Sequence, residues 1–82
     1  MPVYYFHLRD GDDILLDPDG RALEGPEAIA HCALTEARAL ISDEARLGRI
    51  RLDQRIDVED AEGRLMHRLP FDQAVEISGG DR

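Results

Sequence analysis

The feature that most constrains this chain is a helical pattern over residues 26–47, which contain no glycine and no proline after Pro26. Apolar and small residues recur there at helical spacing, at Ile29, Ala33, Ala37, Leu40 and Leu47, with Glu44 as the one interruption. Pro26 in the first turn is typical of a helix start, and Gly48 of a helix end. About 22 residues predict a rod of roughly 33 Å, long enough to cover a small sheet.

Strand-like segments lie on both sides of this helix. Residues 3–8 are aromatic and β-branched, Asp10-Gly11 is a strong hairpin signal, and residues 14–16 are a second strand. Residues 56–59 and 65–69 form a second pair, with a further short strand at 21–23. The turns at 17–21 and 60–64 share one pattern (Asp, any residue, acid, Gly, Arg), which predicts the same turn chemistry and a left-handed glycine.

These elements predict an α+β fold with the order hairpin, long helix, hairpin (ββαββ). One long helix packs on one face of a small antiparallel sheet. We expect a single α+β domain over residues 1–77, with one or two helical turns in 71–77. Residues 78–82 are expected to form a disordered tail.

Charge and length exclude several classes of protein. The 82 residues carry 18 acids against 10 basic residues, all of them arginine, for a net charge of −8. That charge repels phosphates, so we expect no nucleic-acid partner. No apolar run of membrane-spanning length occurs and no signal peptide is visible, so we expect no membrane partner and a cytoplasmic location. The lone Cys32 fits a reducing compartment.

Catalytic and metal motifs are missing from the sequence. The aspartates of the first hairpin do not fit the spacing of a calcium loop, and His7, His31, Cys32 and His67 lack zinc-ligand spacing. No Gly-x-Ser-x-Gly motif and no glycine-rich phosphate loop occurs. We therefore expect no enzyme activity, no catalytic residues, no cofactor and no metal.

Two sets of residues are candidates for binding a partner. The first is the cluster Arg46, Arg49, Arg51 and Arg55, which either pairs with nearby acids around the helix end or forms a docking patch for an acidic partner. The second is Tyr5, His7 and Arg9, which alternate with Phe6 and Leu8 along the first strand. If Phe6 and Leu8 face the helix, Tyr5 and His7 are exposed on the far face of the sheet.

The residues 4–11, Tyr-Tyr-Phe-His-Leu-Arg-Asp-Gly, resemble the opening of a family of short bacterial proteins, common in rhizobia, that is known only as a domain of unknown function. Its members begin Tyr-Phe-Phe-His-Leu-Arg-Asp-Gly, so Tyr5 is a mild departure. Asp60 to Gly63 and Leu69-Pro70-Phe71 also resemble the family's second turn and its closing Val-Pro-Phe. The resemblance runs from Tyr4 to about Ile77, supports the fold, and implies no activity.

A weaker resemblance links the chain to the antitoxin half of hic-type toxin–antitoxin pairs, which are small and acidic and place strands before an alanine-rich helix. The expected function is that of a non-enzymatic protein–protein interaction or adaptor module, with a protein partner or a second copy in a homodimer. The alternative is an antitoxin-like acidic inhibitor that masks a basic partner through its hairpin acids, Asp12, Asp13, Asp17 and Asp19.

Overall fold

A computed structural model describes residues 1–80. Its elements are, in chain order, β1 (Val3–Asp10), β2 (Asp13–Leu15), β3 (Arg21–Ala22), α1 (Pro26–Arg46), β4 (Arg55–Glu59), β5 (Leu65–Pro70) and a 3₁₀ turn (Phe71–Gln73). The predicted α+β class is confirmed. The predicted ββαββ order fits roughly. The short strand expected at 21–23 forms as β3, and it is a third strand before the helix.

The strands form one antiparallel sheet in the order β2-β1-β4-β5, with β3 also paired to β1. Strand β1 is central and pairs with β4 over residues 5–9. On its other edge β1 pairs with β2 at one end, through Leu8 and Leu15, and with β3 at the other, through Tyr4 and Arg21. That edge therefore has a gap at residues 5–7, where none of residues 1–80 forms a strand.

The side chain of Asp17 fills this gap. Its Oδ2 accepts a hydrogen bond from the Phe6 N–H at 3.1 Å, and its Oδ1 accepts the N–H groups of Asp19 and Gly20 at 3.1 and 3.2 Å. Burial alone raises the pKa of Asp17, but these three N–H donors outweigh burial and hold the pKa below its ordinary value. A carboxylate thus takes the place of a strand.

Gly20 lets the loop of residues 16–20 approach β1 closely. Its φ of 72° is left-handed, as predicted, and a Cβ at this position would lie 2.6 Å from Val3 Cγ1 and 2.9 Å from Tyr5 Cε2. Gly63 in the second hairpin also has a positive φ, and Asp60 Oδ1 accepts the N–H of Arg64 at 2.9 Å. The shared turn pattern is confirmed, but among residues 1–80 the side chain of Asp60 bonds only within its own turn.

The helix buries one side against the sheet. Its buried residues are spaced four apart, at Ile29, Ala33, Ala37 and Ile41, and they pack on Tyr4, Phe6, Ile56, Val58, Phe71 and Ala74. Ala33 and Ala37 have no exposed surface, so small side chains set the distance between helix and sheet. The prediction that Leu47 belongs to the buried stripe is wrong, because α1 ends at Arg46 and Leu47 is 73% exposed.

The segment after β5 forms one short turn, at the lower end of the predicted one or two helical turns within residues 71–77. It is the 3₁₀ turn of Phe71–Gln73, and the Phe71 N–H donates to the Gln54 carbonyl at 2.9 Å, which fixes the chain beside the start of β4. Residues 78–80 of the predicted tail have no regular secondary structure, and residues 81–82 lie outside the described residues. The predicted disorder of residues 78–82 and the domain boundary at residue 77 stay predictions.

Candidate interaction surface

Helix α1 covers one face of the sheet and leaves the other face open. Cross-strand partners project to the same face, and successive residues to opposite faces. The pair Phe6–Val58 faces the helix, so the neighbouring pairs project to the other side. We call that side the open face, and its polar and aromatic residues are Tyr5, His7, Arg9, Arg55, Asp57, Glu59 and Arg68.

Asp57 is the centre of the open face. It is only 2% exposed although no helix covers it, because three arginine side chains surround its carboxylate. Arg68 Nε and Arg55 Nε donate to Asp57 Oδ1 at 2.8 and 3.1 Å. Arg9 Nε lies 3.3 Å from Asp57 Oδ2 but makes no hydrogen bond within residues 1–80. We call these four residues the Asp57 cluster.

The cluster is charged at neutral pH. Burial raises the pKa of Asp57, but the hydrogen bonds from Arg68 and Arg55 outweigh burial and hold the pKa below its ordinary value. The same bond to Asp57 raises the pKa of Arg68. Three guanidinium groups therefore face a single carboxylate. The open face is locally positive in a chain whose net charge is −8.

The three arginines keep hydrogen-bonding capacity toward solvent. Each guanidinium carries five N–H donors. Within residues 1–80, Arg55 and Arg68 donate only to Asp57, and Arg9 makes no hydrogen bond, its Nε being buried. Their side chains are 36%, 38% and 48% exposed. Planar donors held by a buried carboxylate are suited to bind further carboxylates in a fixed orientation.

His7 departs from its predicted exposure. It projects to the open face but is only 7% exposed. The Asp17 N–H donates to His7 Nδ1 at 3.0 Å, the Tyr5 ring stacks on the imidazole at a centroid distance of 6.4 Å, and Glu59 Oε1 lies 3.5 Å from Nε2. The edge loop and the neighbouring side chains thus bury His7, and Tyr5 is half-buried above it.

The predicted arginine cluster separates in the structure. Arg55 joins the Asp57 cluster. Arg51 donates through both terminal nitrogens to Asp10 at the end of β1, and that bond lowers the pKa of Asp10. The other two pair with acids near the helix end, Arg46 with Asp43 and Arg49 with Glu44. The geometry brings Arg9 and Arg55 together but keeps Arg46, Arg49 and Arg51 apart from them.

Three residues of the open face were not among the predicted candidates: Asp57, Glu59 and Arg68. The alternation of residues 56–59 indicated that Asp57 lies opposite to Ile56. The pairing of Asp57 with Arg68 depends on the register of β4 and β5, and that register includes a shift at Val58 and Glu59. A shift by one residue moves every side chain to the other face, so no pattern within a single strand identifies Arg68.

The remaining chemistry-bearing residues do not form a reactive group. Arg21 donates to Cys32 Sγ at 2.8 Å and to Glu36 Oε1 at 2.7 Å, and its guanidinium lies over the Phe6 ring at 5.6 Å. This arrangement attaches β3 to α1. Among residues 1–80, no three histidine, cysteine or acidic side chains are placed to hold a metal ion. The expected absence of metal, cofactor and catalysis stays a prediction.

The fold and surface describe a small α+β domain with one helix-covered face and one open, arginine-bearing face. Residues 3–72 match the family described as a domain of unknown function, DUF6894. This match spans most of the chain, so the protein belongs to that family. Searches of curated proteins and of solved structures find no match. No helix of residues 1–80 is both long and apolar enough to cross a membrane.

Proposed function

We propose that this protein is a non-enzymatic interaction module whose open face binds an acidic segment of a protein partner. The observation that supports the proposal is the Asp57 cluster, in which one buried carboxylate orients three partly exposed guanidinium groups. Hydrogen bonds to the carboxylate inside the cluster fix the side chains of Arg55 and Arg68 before binding, and Arg9 lies within ion-pair distance. Less conformational entropy is then lost when a ligand carboxylate arrives.

Charge favours a protein partner over a nucleic acid. The open face carries Arg9, Arg55 and Arg68 against Asp57 and Glu59, whereas the whole chain has a net charge of −8 and repels a phosphate backbone. A short acidic segment can contact the open face alone and avoid that repulsion. We place the protein in the cytoplasm, where its lone Cys32 stays reduced.

The experiment is affinity capture from the lysate of the native host, followed by native mass spectrometry. The wild type is compared with the double variant Arg9→Gln, Arg68→Gln and with the control Arg46→Gln, which removes an exposed arginine at the helix end. We expect one stoichiometric companion with the wild type and with the control. Because charge-assisted hydrogen bonds contribute about 1.5–3 kcal/mol each, we expect the double variant to bind the companion about tenfold or more weakly than the wild type.

Two results contradict the proposal. A companion that the double variant retains would bind elsewhere on the protein. A homodimer mass in place of a companion, lost only in the double variant, would make a second copy the partner of the open face. Synthetic Glu-rich peptides, titrated while amide shifts of β1, β4 and β5 are followed, test the acidic preference directly.

A further inference from the structure

The helix leaves part of its own side of the sheet uncovered. Helix α1 lies mainly against β4, β5 and the 3₁₀ turn, so the outer part of the β1–β2 hairpin is not beneath it. Leu15 pairs with Leu8 and therefore projects to the helix side, yet Leu15 is 70% exposed. The next residue, Leu16, is 62% exposed. Two adjacent leucines thus face solvent beside the helix.

These leucines border a cleft of about 440 Å³ between α1 and the loop of residues 16–20. Phe6, Leu8, Leu40 and Ile56 contribute to its lining. A second cleft of about 200 Å³ shares Leu8 and Leu40 and reaches the exposed Leu47. We call the combined surface the leucine groove, formed by Leu8, Leu15, Leu16, Leu40 and Leu47. Contiguous exposed apolar surface of this kind marks a protein interaction site.

The border of the leucine groove is acidic. The acids that line the two clefts are Asp17, Asp19, Glu36, Asp43 and Glu44. Arg21, Arg46 and Arg49 pair with three of them, which leaves the border net negative. Along α1 the groove extends from Glu36 to Leu47, roughly 16 Å at about 1.5 Å per residue, or about three helical turns.

We propose that the leucine groove binds a basic amphipathic helix of about three turns from a protein partner. Leucines at spacing i, i+3 and i+4 on that helix would contact the groove, and its lysines or arginines would face the acidic border. A second copy of this chain fits less well, because it adds another net charge of −8. The groove lies on the opposite side of the sheet from the open face, so both surfaces can be occupied at once.

The test uses three synthetic peptides of about 14 residues. The first places leucines on one helical face and lysines elsewhere, the second has the same composition with scattered leucines, and the third replaces lysine by glutamate. Isothermal titration at roughly 0.15 M salt measures affinity, and amide shifts locate the binding site. We expect the first peptide to shift the amides of the leucine groove and to bind there about tenfold or more tighter than the other two. Any binding of the acidic third peptide is expected to shift amides of the open face instead.

Matched double variants test the groove itself. Leu15→Ser with Leu16→Ser is expected to weaken the first peptide about tenfold or more. The control, Leu65→Ser with Met66→Ser, changes two exposed apolar residues of β5 and is expected to bind normally. Circular dichroism checks that both variants fold. Equal binding of all three peptides at the leucine groove, equal loss in both double variants, or shifts on the open face with the first peptide overturns the proposal. The proposal is also overturned if the wild type forms a homodimer that the double variant Leu15→Ser, Leu16→Ser does not form.

Discussion

Arg68 and Asp57 are direct cross-strand partners on β5 and β4, and Arg68 Nε donates to Asp57 Oδ1 at 2.8 Å. The pair joins the edge strand to the interior of the sheet on the open face. Because Asp57 is nearly fully buried, its charge depends on the surrounding guanidinium groups rather than on water. Stability and the proposed binding function therefore share one carboxylate.

Asp57→Asn is expected to lower the free energy of unfolding by about 1–3 kcal/mol near neutral pH, since charge-assisted hydrogen bonds are lost. The folded-state pKa of Asp57 lies below its ordinary value of 3.8. Its stabilising effect is therefore complete above about pH 5 and is lost as the pH falls through the folded-state pKa. Urea unfolding at neutral and acidic pH should show the gap between wild type and variant closing in acid.

The control for this prediction is Asp12→Asn, which changes an exposed aspartate in the β1–β2 turn. Its stability should follow the wild type at both pH values. A deficit of Asp57→Asn that stays constant from neutral pH to about pH 2 would mean that the shape of the side chain matters and its charge does not.

Gly20→Ala is expected to be strongly destabilising. The substitution introduces a side chain at a φ of 72° and forces its Cβ against Val3 and Tyr5. Backbone strain and overpacking together predict a loss of about 2–4 kcal/mol in thermal or urea unfolding. Gly11→Ala is the matched control, because Gly11 has a φ of 62° but open space around it. If both variants lose the same stability, close approach at Gly20 contributes nothing.

Asp17→Ala is expected to expose the Phe6 amide. Without the carboxylate, the Phe6 N–H in the gap of the β1 edge loses its acceptor. An unsatisfied buried donor costs about 1–3 kcal/mol, so hydrogen exchange at Phe6 should accelerate about tenfold or more. In the control Asp60→Ala, hydrogen exchange should accelerate at Glu62 and Arg64, whose N–H groups donate to Asp60 Oδ1, and remain normal at Phe6. Unchanged protection of the Phe6 amide from exchange in Asp17→Ala would contradict the conclusion that the Asp17 carboxylate fills the gap in the β1 edge.

Ala33→Leu is expected to separate the helix from the sheet. Ala33 has no exposed surface, so added methyl groups must displace the neighbouring core. Overpacking of this kind costs about 1–3 kcal/mol, measurable as a lower midpoint in urea. Ala39→Leu adds the same side chain on the exposed side of α1 and should leave the midpoint nearly unchanged. Equal urea midpoints for the two variants would show that the interface between α1 and the sheet accommodates a larger side chain at position 33 without loss of stability.

Local sequence signals explain why the helix and both hairpins could be predicted. Pro26 and Gly48 at the helix ends, Asp10-Gly11 in the first hairpin and the turn at 60–64 in the second act within a few residues of themselves, so their effects do not depend on the rest of the fold. Contacts that depend on long-range register could not be predicted from such local signals. The bond from Phe6 to Asp17 spans eleven positions of sequence, and the pairing of Asp57 with Arg68 spans a bulge.

The candidate surface was only partly predictable for the same reason. Alternation along β1 correctly separates Tyr5 and His7 from Phe6, because a strand turns successive side chains to opposite faces. The burial of His7 could not be predicted, since it depends on a loop that returns from β2. Proximity in sequence did not predict which arginines lie together. Arg51 and Arg55 are four positions apart, yet Arg51 binds Asp10 and Arg55 binds Asp57.

Strand β5 is the last strand of the sheet, and its outer edge has no neighbour among residues 1–80. Such an edge, with Leu65 and Met66 exposed beside it, is a template for aggregation into larger sheets. Pro70 at the end of β5 offers no N–H to an incoming chain, and the charge of Arg68 discourages an apolar one. The same arginine that helps to build the open face is thus also expected to disfavour amyloid-like self-association at this edge.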